Sequence, residues 1–364
     1  MSDSGSGTAD VAHLLDLLPG PPVRLREDPG AFRVDEIPLI QPTGTGEHLF
    51  LNIEKKNAST VKLVKDLCQL YQLRDREVGI AGRKDERGVT TQWLSCPAVK
   101  VTDDGAALEK EGAYRVLQAK RNAKKLRLGQ LKGNHFHVRV TSSLPTPVID
   151  ERLNVLAFKG CPNYFGSQRF GQGGESWHQA CRFVRFRRRP KNRKEKFLVS
   201  VFQSALFNLW LHERITDGLL FSAIQGDVLT LRHSRSNFEC ENPDDDSLRV
   251  QTGDVIPSGP LWGAKMRPTC GIAMTRESRL FTKLAINDAE LVSHPAFQLG
   301  DRRVSRIFPE RCQVTQHSVE GEKTTETNVS FVLPKGSYAT VLLMELFGGT
   351  ISDAANEDPF LRPL

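Results

Sequence analysis

The alternation of apolar and polar side chains in NHFHVRV, residues 134–140, is the feature that most constrains the fold. Phe136, Val138 and Val140 alternate with two histidines and an arginine. Because successive side chains of a strand point to opposite faces, this segment predicts a strand with one core face and one polar face.

Further strands are predicted by short runs rich in β-branched and aromatic residues, bounded by turn signals. They are FRVDEIPL (32–39), HLFLNI (48–53), TTQWLSCPAV (90–99), AYRVLQAK (113–120) and NVSFVLP (328–334). Most of them lie in the first half of the chain, which is therefore predicted to form a mixed, strand-rich α/β domain.

Helices are predicted at 58–73, 196–215 and 337–347, where apolar residues are dense. The first can be capped by Ser59 or Thr60. Its predicted core face consists of five apolar residues at helical spacing, namely Val61, Val64, Leu67, Cys68 and Tyr71.

The length of 364 residues favours two domains. Residues 1–20 are expected to form a loose tail, and residues 225–260 are polar and turn-rich without a clear period. The strand and helix near the C-terminus again resemble the first half. We therefore expect a core domain that is interrupted by an inserted one.

The cysteines and the start of the chain indicate the compartment. The seven cysteines are widely spaced and include no Cys-x-x-Cys pair. This pattern predicts reduced thiols and a cytoplasmic protein with no zinc ribbon and no disulfide framework. No secretory signal and no apolar run long enough to span a membrane are found.

The formal net charge is +7, and its placement matters more than its size. Two basic segments are nearly free of acidic residues: KRNAKKLRLGQLKG (120–133) and CRFVRFRRRPKNRKEKF (181–197). Phe183, Phe186 and Phe197 interleave with the second. Cations that neutralise phosphates and aromatic faces that receive unstacked bases are typical of RNA binding. The alternative is a solvated helical face with core phenylalanines.

The best catalytic candidates are carboxylates, because other chemistries lack their motifs. His135 and His137 lack a third metal ligand, the glycine pairs match no nucleotide-binding fingerprint, and no nucleophile elbow occurs. Asp85 lies among cations in VGIAGRKDERGVTTQWLSC (78–96). Neighbouring cations lower the pKa of a carboxyl group, which suits a nucleophile or a stabiliser of positive charge. The alternative is an ordinary polar turn.

A second candidate site is GCPNYFGSQRFGQGGES, residues 160–176. Its side chains offer what a base removed from its stack requires, an aromatic wall, amide edges and a cation. The polar members are Asn163, Gln168 and Arg169, and the aromatic members are Tyr164, Phe165 and Phe170. The alternative is a glycine-rich loop with core phenylalanines.

At these residues the chain resembles the TruD family of tRNA pseudouridine synthases. The resemblance covers nearly the whole length in the family's order, and VGIAGRKDERGVTTQWLS resembles the signature around the family's catalytic aspartate. The other segments are RLREDPGAFRVDEIPL, GTGEHLFLNIEKKNAST, KLRLGQLKGNHFHVRV, PNYFGSQRFG, LVSVFQSALFN and FVLPKGSYATVLLMEL. The chain departs from the signature at Arg83, where an apolar residue is common, and at Gly88, where alanine is common.

The resemblance implies roles for individual residues. Asp85 matches the catalytic aspartate, Phe165 the aromatic residue set against the target uracil, and Asn163 an asparagine of the same motif. Arg26 and Glu36 fall in the opening motif near the site. Further predicted substrate contacts are Lys84, Gln168 and Arg169, and predicted contacts to the RNA backbone are Lys124, Lys125, Arg127, Arg187, Arg188 and Arg189.

The resemblance also implies an α/β (α+β) fold. It consists of a pseudouridine synthase catalytic domain with a central, mostly antiparallel sheet (21–188 plus 309–364) and a family-specific inserted α/β domain (189–308). The implied reaction is the isomerisation of a uridine, typically at position thirteen of tRNA, which needs no cofactor. We also expect a monomer without a bound metal. Two alternatives stay open: a non-catalytic tRNA-binding or tRNA-folding protein, and a basic protein without an RNA role.

Overall fold

The computed structural model describes residues 23–25, 28–84, 88–110, 112–187, 189–283, 294–318, 325–348 and 351–352. Its strands are β1 Val23–Leu25, β2 Phe32–Pro38, β3 His48–Lys56, β4 Gly79–Ile80, β5 Val89–Pro97, β6 Tyr114–Asn122, β7 Leu131–Ser142, β8 Cys161–Pro162, β9 Val228–Leu231, β10 Asn237–Glu239, β11 Val255–Leu261, β12 Asp301–Val304, β13 Arg306–Ile307, β14 Glu310–Ser318, β15 Thr325–Pro334 and β16 Ile351–Ser352. Its helices are α1 Thr60–Leu70, α2 Thr146–Lys159, α3 Glu175–Arg185, α4 Arg193–Thr216, α5 Pro243–Thr252, α6 Gly271–Lys283 and α7 Ala339–Phe347.

The chain divides into two compact units. The sheet unit comprises the described residues of Val23–Asp150 and Pro309–Gly336, and the helical unit comprises those of Glu151–Phe308 and 337–352. In this division residues 151–187 group with the segment that follows them. The proposed limits of the inserted domain, 189–308, stay a prediction.

The sheet unit is built on a large sheet in the strand order β14-β15-β7-β2-β5-β3-β6. Neighbouring strands in this order are antiparallel, except for β2 and β5, which are parallel. β1 pairs with β7, and β4 pairs with β5. The central sheet is therefore mostly antiparallel, as the sequence predicts.

Strand β7 shows the predicted alternation, because Phe136, Val138 and Val140 are buried. β15 pairs with β7 so that Phe331 lies opposite Phe136, and the two ring centroids are 5.5 Å apart. The chain thus returns to the sheet of the first half after the helical unit, as the C-terminal pattern indicates.

Helix α1 begins as predicted, since the Ser59 hydroxyl accepts a hydrogen bond from the Lys62 amide. Its predicted core face is partly wrong. Leu63 and Leu67 are buried against the sheet, whereas Val61 is 63% exposed. At about 100° per residue, Val61 lies about 120° from Leu67 around the helix axis, which places it beside the buried stripe.

The helical unit contains a sheet of order β10-β9-β11-β12 and a two-stranded pair of β8 and β13. Its main core packs α3 against α4 through Phe183, Val184, Phe202 and Leu206. β9, β10, α5 and β11 occupy the region 225–260, for which the sequence shows no period. β11 is buried along most of its length and contains two prolines and a glycine, so it has neither alternation nor a typical strand composition.

None of the helices in the described part of the chain is long and apolar enough to cross a membrane.

Two residues of α1 with opposite exposure give a test of its packing. Leu63→Ala leaves a cavity under α1 and is expected to lower the free energy of unfolding by about 2–5 kcal/mol in urea denaturation. Val61→Ala is the matched control and should change it by less than about 0.5 kcal/mol. Equal losses in both variants would contradict the orientation of α1.

Candidate active site

Lys84, the residue directly before Asp85, has its side chain buried in the sheet unit. Its Nζ lies 2.8 Å from Oε2 of Glu36, and the exposed side-chain fractions are 5% and 0%. The same ammonium donates a hydrogen bond of 2.6 Å to Oδ1 of Asn134. A buried ion pair needs such additional hydrogen bonds to offset the loss of hydration, so this network fixes Lys84 closely.

The backbone of Lys84 is held by the start of helix α1. Its amide donates to the Thr60 hydroxyl at 2.9 Å. The single proton of that hydroxyl has two acceptors within reach, Gln92 Oε1 at 2.8 Å and the Lys84 carbonyl at 3.3 Å. Thr60 is the first residue of α1, so the helix itself positions this end of the segment.

Gly88 marks the other side of the candidate segment and is tied to Asn57. Its amide donates to Asn57 Oδ1 at 3.1 Å, and its carbonyl accepts from the Asn57 amide at 3.0 Å. Gly88 has φ +90°, and an added Cβ would lie 2.3 Å from the Phe32 carbonyl oxygen. This departure from the family signature is thus adapted to its site, because a side chain here would clash.

Asp85 itself lies outside the described residues, as do Arg26 and Arg188. The structure therefore describes Lys84 and Gly88, the residues on both sides of the segment that contains Asp85. Asn57 directly follows β3, and Thr60 begins α1. Glu36 contacts the residue next to Asp85, and its other carboxylate oxygen accepts from the Trp93 amide at 3.2 Å.

Phe165, in the helical unit, has a half-buried ring and a fixed backbone. Asn208 of α4 accepts from the Phe165 amide at 2.8 Å and donates to its carbonyl at 2.9 Å. Phe207 and Tyr338 form T-shaped contacts with the ring, and their ring centroids lie 5.7 and 5.9 Å away. The ring is therefore held in one orientation by its surroundings.

Arg303 of β12 joins Phe165 to Asn163. Its guanidinium lies 4.0 Å from the Phe165 ring centroid. It also donates to the Asn163 carbonyl at 3.0 Å and to Oδ1 of Asn163 at 2.5 Å. Burial lowers the pKa of Arg303 to about 10, which leaves the group protonated at neutral pH.

Arg169 is directed toward helix α4. It donates to Ser204 at 3.1 Å and to Ser200 at 2.7 Å, and its guanidinium lies 5.7 Å from the Phe165 centroid. Burial also lowers the pKa of Arg169. The structure thus brings Asn163, Phe165 and Arg169 together, whereas Gln168 is exposed on the adjacent turn.

The predicted RNA contacts differ in exposure. Lys124 and Arg127 are exposed between β6 and β7, while the half-buried Lys125 donates to the Arg76 carbonyl. Arg187 and Arg189 are exposed after α3.

The residues of these clusters that were not predicted from the sequence include Asn134, Asn208, Arg303 and Tyr338. Asn208 had a signal, because it is a polar residue within a long apolar helix. No feature of the sequence singles out Arg303, because its partners are distant in the chain and arginines are common in this sequence.

Comparison with solved structures identifies the fold. A structure from Methanosarcina mazei assigned to tRNA pseudouridine synthase D superposes with a TM-score of 0.68 and 21% identity, covering 94% of this chain and 96% of that one. The predicted fold class, a mixed α/β protein with a large and mostly antiparallel sheet, is confirmed.

Sequence comparison identifies the family. The family model described as tRNA pseudouridine synthase D (TruD) matches residues 11–185 and 185–346. A tRNA pseudouridine synthase D of Anaeromyxobacter sp. (strain Fw109-5) is 37% identical over 349 residues, 94% of this chain and 97% of that protein. A protein of the same name from Thermus thermophilus is 34% identical over 94% of this chain and 93% of its own. The chain belongs to the TruD family of isomerases, which confirms the family and the enzyme class indicated by the sequence.

The buried pair gives a second test. Glu36→Gln leaves the Lys84 ammonium without a carboxylate, and Lys84→Met leaves the Glu36 carboxylate without an ammonium. Each substitution is therefore expected to destabilise the fold by about 3–5 kcal/mol. The double variant should cost less than the sum, by at least about 1 kcal/mol in urea denaturation.

The matched control is the exposed pair of Lys62 and Asp66 on α1, with 2.9 Å between its charged atoms. Its coupling should be below about 0.5 kcal/mol. Additive losses at Glu36 and Lys84 would show that the two groups do not interact as described.

Arg303 gives a third test. Arg303→Lys keeps the charge but loses the planar fork that bonds Asn163 and lies on Phe165, so we expect a loss of about 1–3 kcal/mol in unfolding free energy. The exposed Arg193→Lys is the control and should be neutral within about 0.5 kcal/mol. An equally stable Arg303→Lys protein would argue against the bidentate contact.

Proposed function

We propose that the chain converts a uridine of tRNA into pseudouridine and that Asp85 is the carboxylate responsible. Membership of the family supports the reaction class. The observation that carries the assignment to this segment is the network of Lys84, Glu36 and Asn134, which fixes the residue next to Asp85. Position thirteen of the tRNA is proposed from the family resemblance.

The reaction exchanges one bond to the sugar for another. The N1–C1′ bond of the uridine breaks, the uracil turns, and C5 joins C1′ while C5 loses its proton and N1 gains one. The product is an isomer, so no oxidant or energy source is required. Positive charge develops at the sugar when the glycosidic bond breaks, and a nearby carboxylate can trap or stabilise it. Asp85 can act as the nucleophile at C1′ or as a base toward the ribose, and both roles stay open.

The charges near Asp85 do not contribute equally. The Lys84 ammonium is engaged by Glu36, so this pair adds little net charge, and we propose that Lys84 chiefly positions the backbone. Arg83 is exposed and remains a flanking cation that favours the ionised carboxylate. A direct contact of Lys84 with substrate stays a prediction.

In the helical unit we propose that Phe165 stacks on the uracil after the uridine leaves its own stack. Its half-buried ring and its fixed backbone support this role. Both ends of the Asn163 amide are engaged, by Arg303 and by the Val304 carbonyl at 2.9 Å, which favours a role in holding the loop over one in binding the base. Gln168 is exposed and is a proposed substrate contact, whereas Arg169 is engaged with α4.

The proposed partner is tRNA, and the exposed cations of 120–133 and 181–197 are proposed to bind its phosphates. A cytoplasmic monomer that needs no cofactor remains the expectation for this enzyme.

The first experiment is tritium release from tRNA labelled at uracil C5, because C5 loses its hydrogen when it bonds to C1′. We expect release by the wild type and a loss of about a thousandfold or more in Asp85→Asn, with tRNA binding retained. The control is Asp104→Asn, an exposed aspartate of the same unit, which should keep full activity.

Two results would count against the proposal. Full activity of Asp85→Asn would remove this residue from the mechanism. Tight, salt-dependent tRNA binding by a wild type that releases no tritium would favour the alternative, a tRNA-binding or tRNA-folding protein.

A further inference from the structure

A groove of about 560 Å³ lies between the end of α3 and the start of α4. Phe183 and Leu198 are buried and form its floor. Arg182 and Lys194 line it with cationic side chains, and Phe186 lines it with an aromatic ring. Its size is within the range of small-molecule binding sites.

Phe186 is the unusual member of this groove because it is 68% exposed, whereas Phe183 is 5% exposed. It follows the last residue of α3 directly, and its amide donates to the Phe183 carbonyl at 3.2 Å. The exposed ring lies beside cationic side chains of the same groove, so it offers a flat, apolar face next to groups that can bind an anion.

The acidic side chain that lines the groove, Glu195, is engaged by the backbone at the start of α4. The Glu195 carboxylate accepts from the Lys191 amide at 2.6 Å, while Asn192 caps α4 by accepting from the Glu195 amide at 2.9 Å. Among the residues that line the groove, the cations Arg182 and Lys194 outnumber this one acid. The electrostatic field at the groove therefore favours an anion.

We propose that this groove binds an unstacked nucleotide of the tRNA, with its base on Phe186 and its phosphate near Arg182 and Lys194. Base stacking on an aromatic ring and phosphate contact by nearby cations are the two elements of single-stranded RNA binding. The inference rests on the proposed tRNA substrate and adds a subsite whose lining residues are not members of the Asn163, Phe165 and Arg303 cluster.

The test measures the dissociation constant for a tRNA transcript at several salt concentrations. Phe186→Ala is expected to weaken binding about tenfold with an unchanged salt slope, since stacking is not an ionic contact. Phe186→Leu keeps an apolar side chain but not a flat face, and it should lose as much. Phe186→Trp should bind within about twofold of the wild type, because the indole ring also offers a flat face.

Substitution of the two cationic residues of the groove should change the salt dependence of binding. Arg182→Ala and Lys194→Ala should each reduce the slope of log K against log salt concentration by about one. The control for a lost surface ring is Phe158→Ala on α2, where the native ring is 75% exposed, and it should leave binding unchanged.

Equal affinities of the wild type and Phe186→Ala would overturn the proposal. Full affinity in Phe186→Leu would also overturn it, because it would show that the contact to tRNA does not need a flat ring. Because Phe186 is proposed to bind the substrate, Phe186→Ala and Phe186→Leu should need about tenfold more tRNA for half-maximal tritium release, in line with their weaker binding. A wild type without tritium release whose binding still depends on Phe186 would reject the isomerase and keep the subsite.

Discussion

The pairing register of β2 with β7 determines the geometry beside the candidate catalytic segment. In this register Glu36 lies directly opposite Asn134, and both side chains reach the ammonium of Lys84. Because side chains alternate along a strand, a slip of one residue would turn Glu36 to the other face and remove the partner of Lys84. The same strand β7 also pairs with β15, so the C-terminal return of the chain helps to fix this register.

A buried ion pair is a poor way to stabilise a fold, because the loss of hydration offsets most of the attraction. Its location here is informative for that reason. Apolar residues of similar volume in place of Lys84 and Glu36 would pack without the cost of lost hydration. Charged groups that are hydrogen-bonded from several directions are held in one position, however, whereas apolar contacts have no preferred direction. The network therefore fits a segment whose backbone position matters more than its contribution to stability.

The sequence predicts local features of the fold better than the contacts that make the sites. The alternation of Phe136, Val138 and Val140 and the Ser59 cap were predictable, because each depends on neighbours along the chain. Val61 was misplaced because it lies at the edge of the apolar stripe, where periodicity decides poorly. The Lys84 pair was not foreseen, since nothing local shows that a lysine in a charged run is buried. Likewise, the Arg303 contact to Phe165 exists only after β12 and the 163–165 segment meet.

The three phenylalanines of the basic segment show how position decides the fate of identical residues. Phe183 lies on the buried face of α3 and packs against α4. Phe186 lies at the end of α3, and the next residue, Arg187, has φ 47°, in the left-handed region that ends helices. The chain therefore leaves the helix before Phe186 can continue the buried face. Phe197, in the first turns of α4, is covered in part by Arg169, whose guanidinium lies 5.1 Å from its ring centroid. An amphipathic pattern alone would assign all three to the core. Phe197 is 42% exposed and Phe186 is 68% exposed, and the end of α3 accounts for the larger exposure of Phe186.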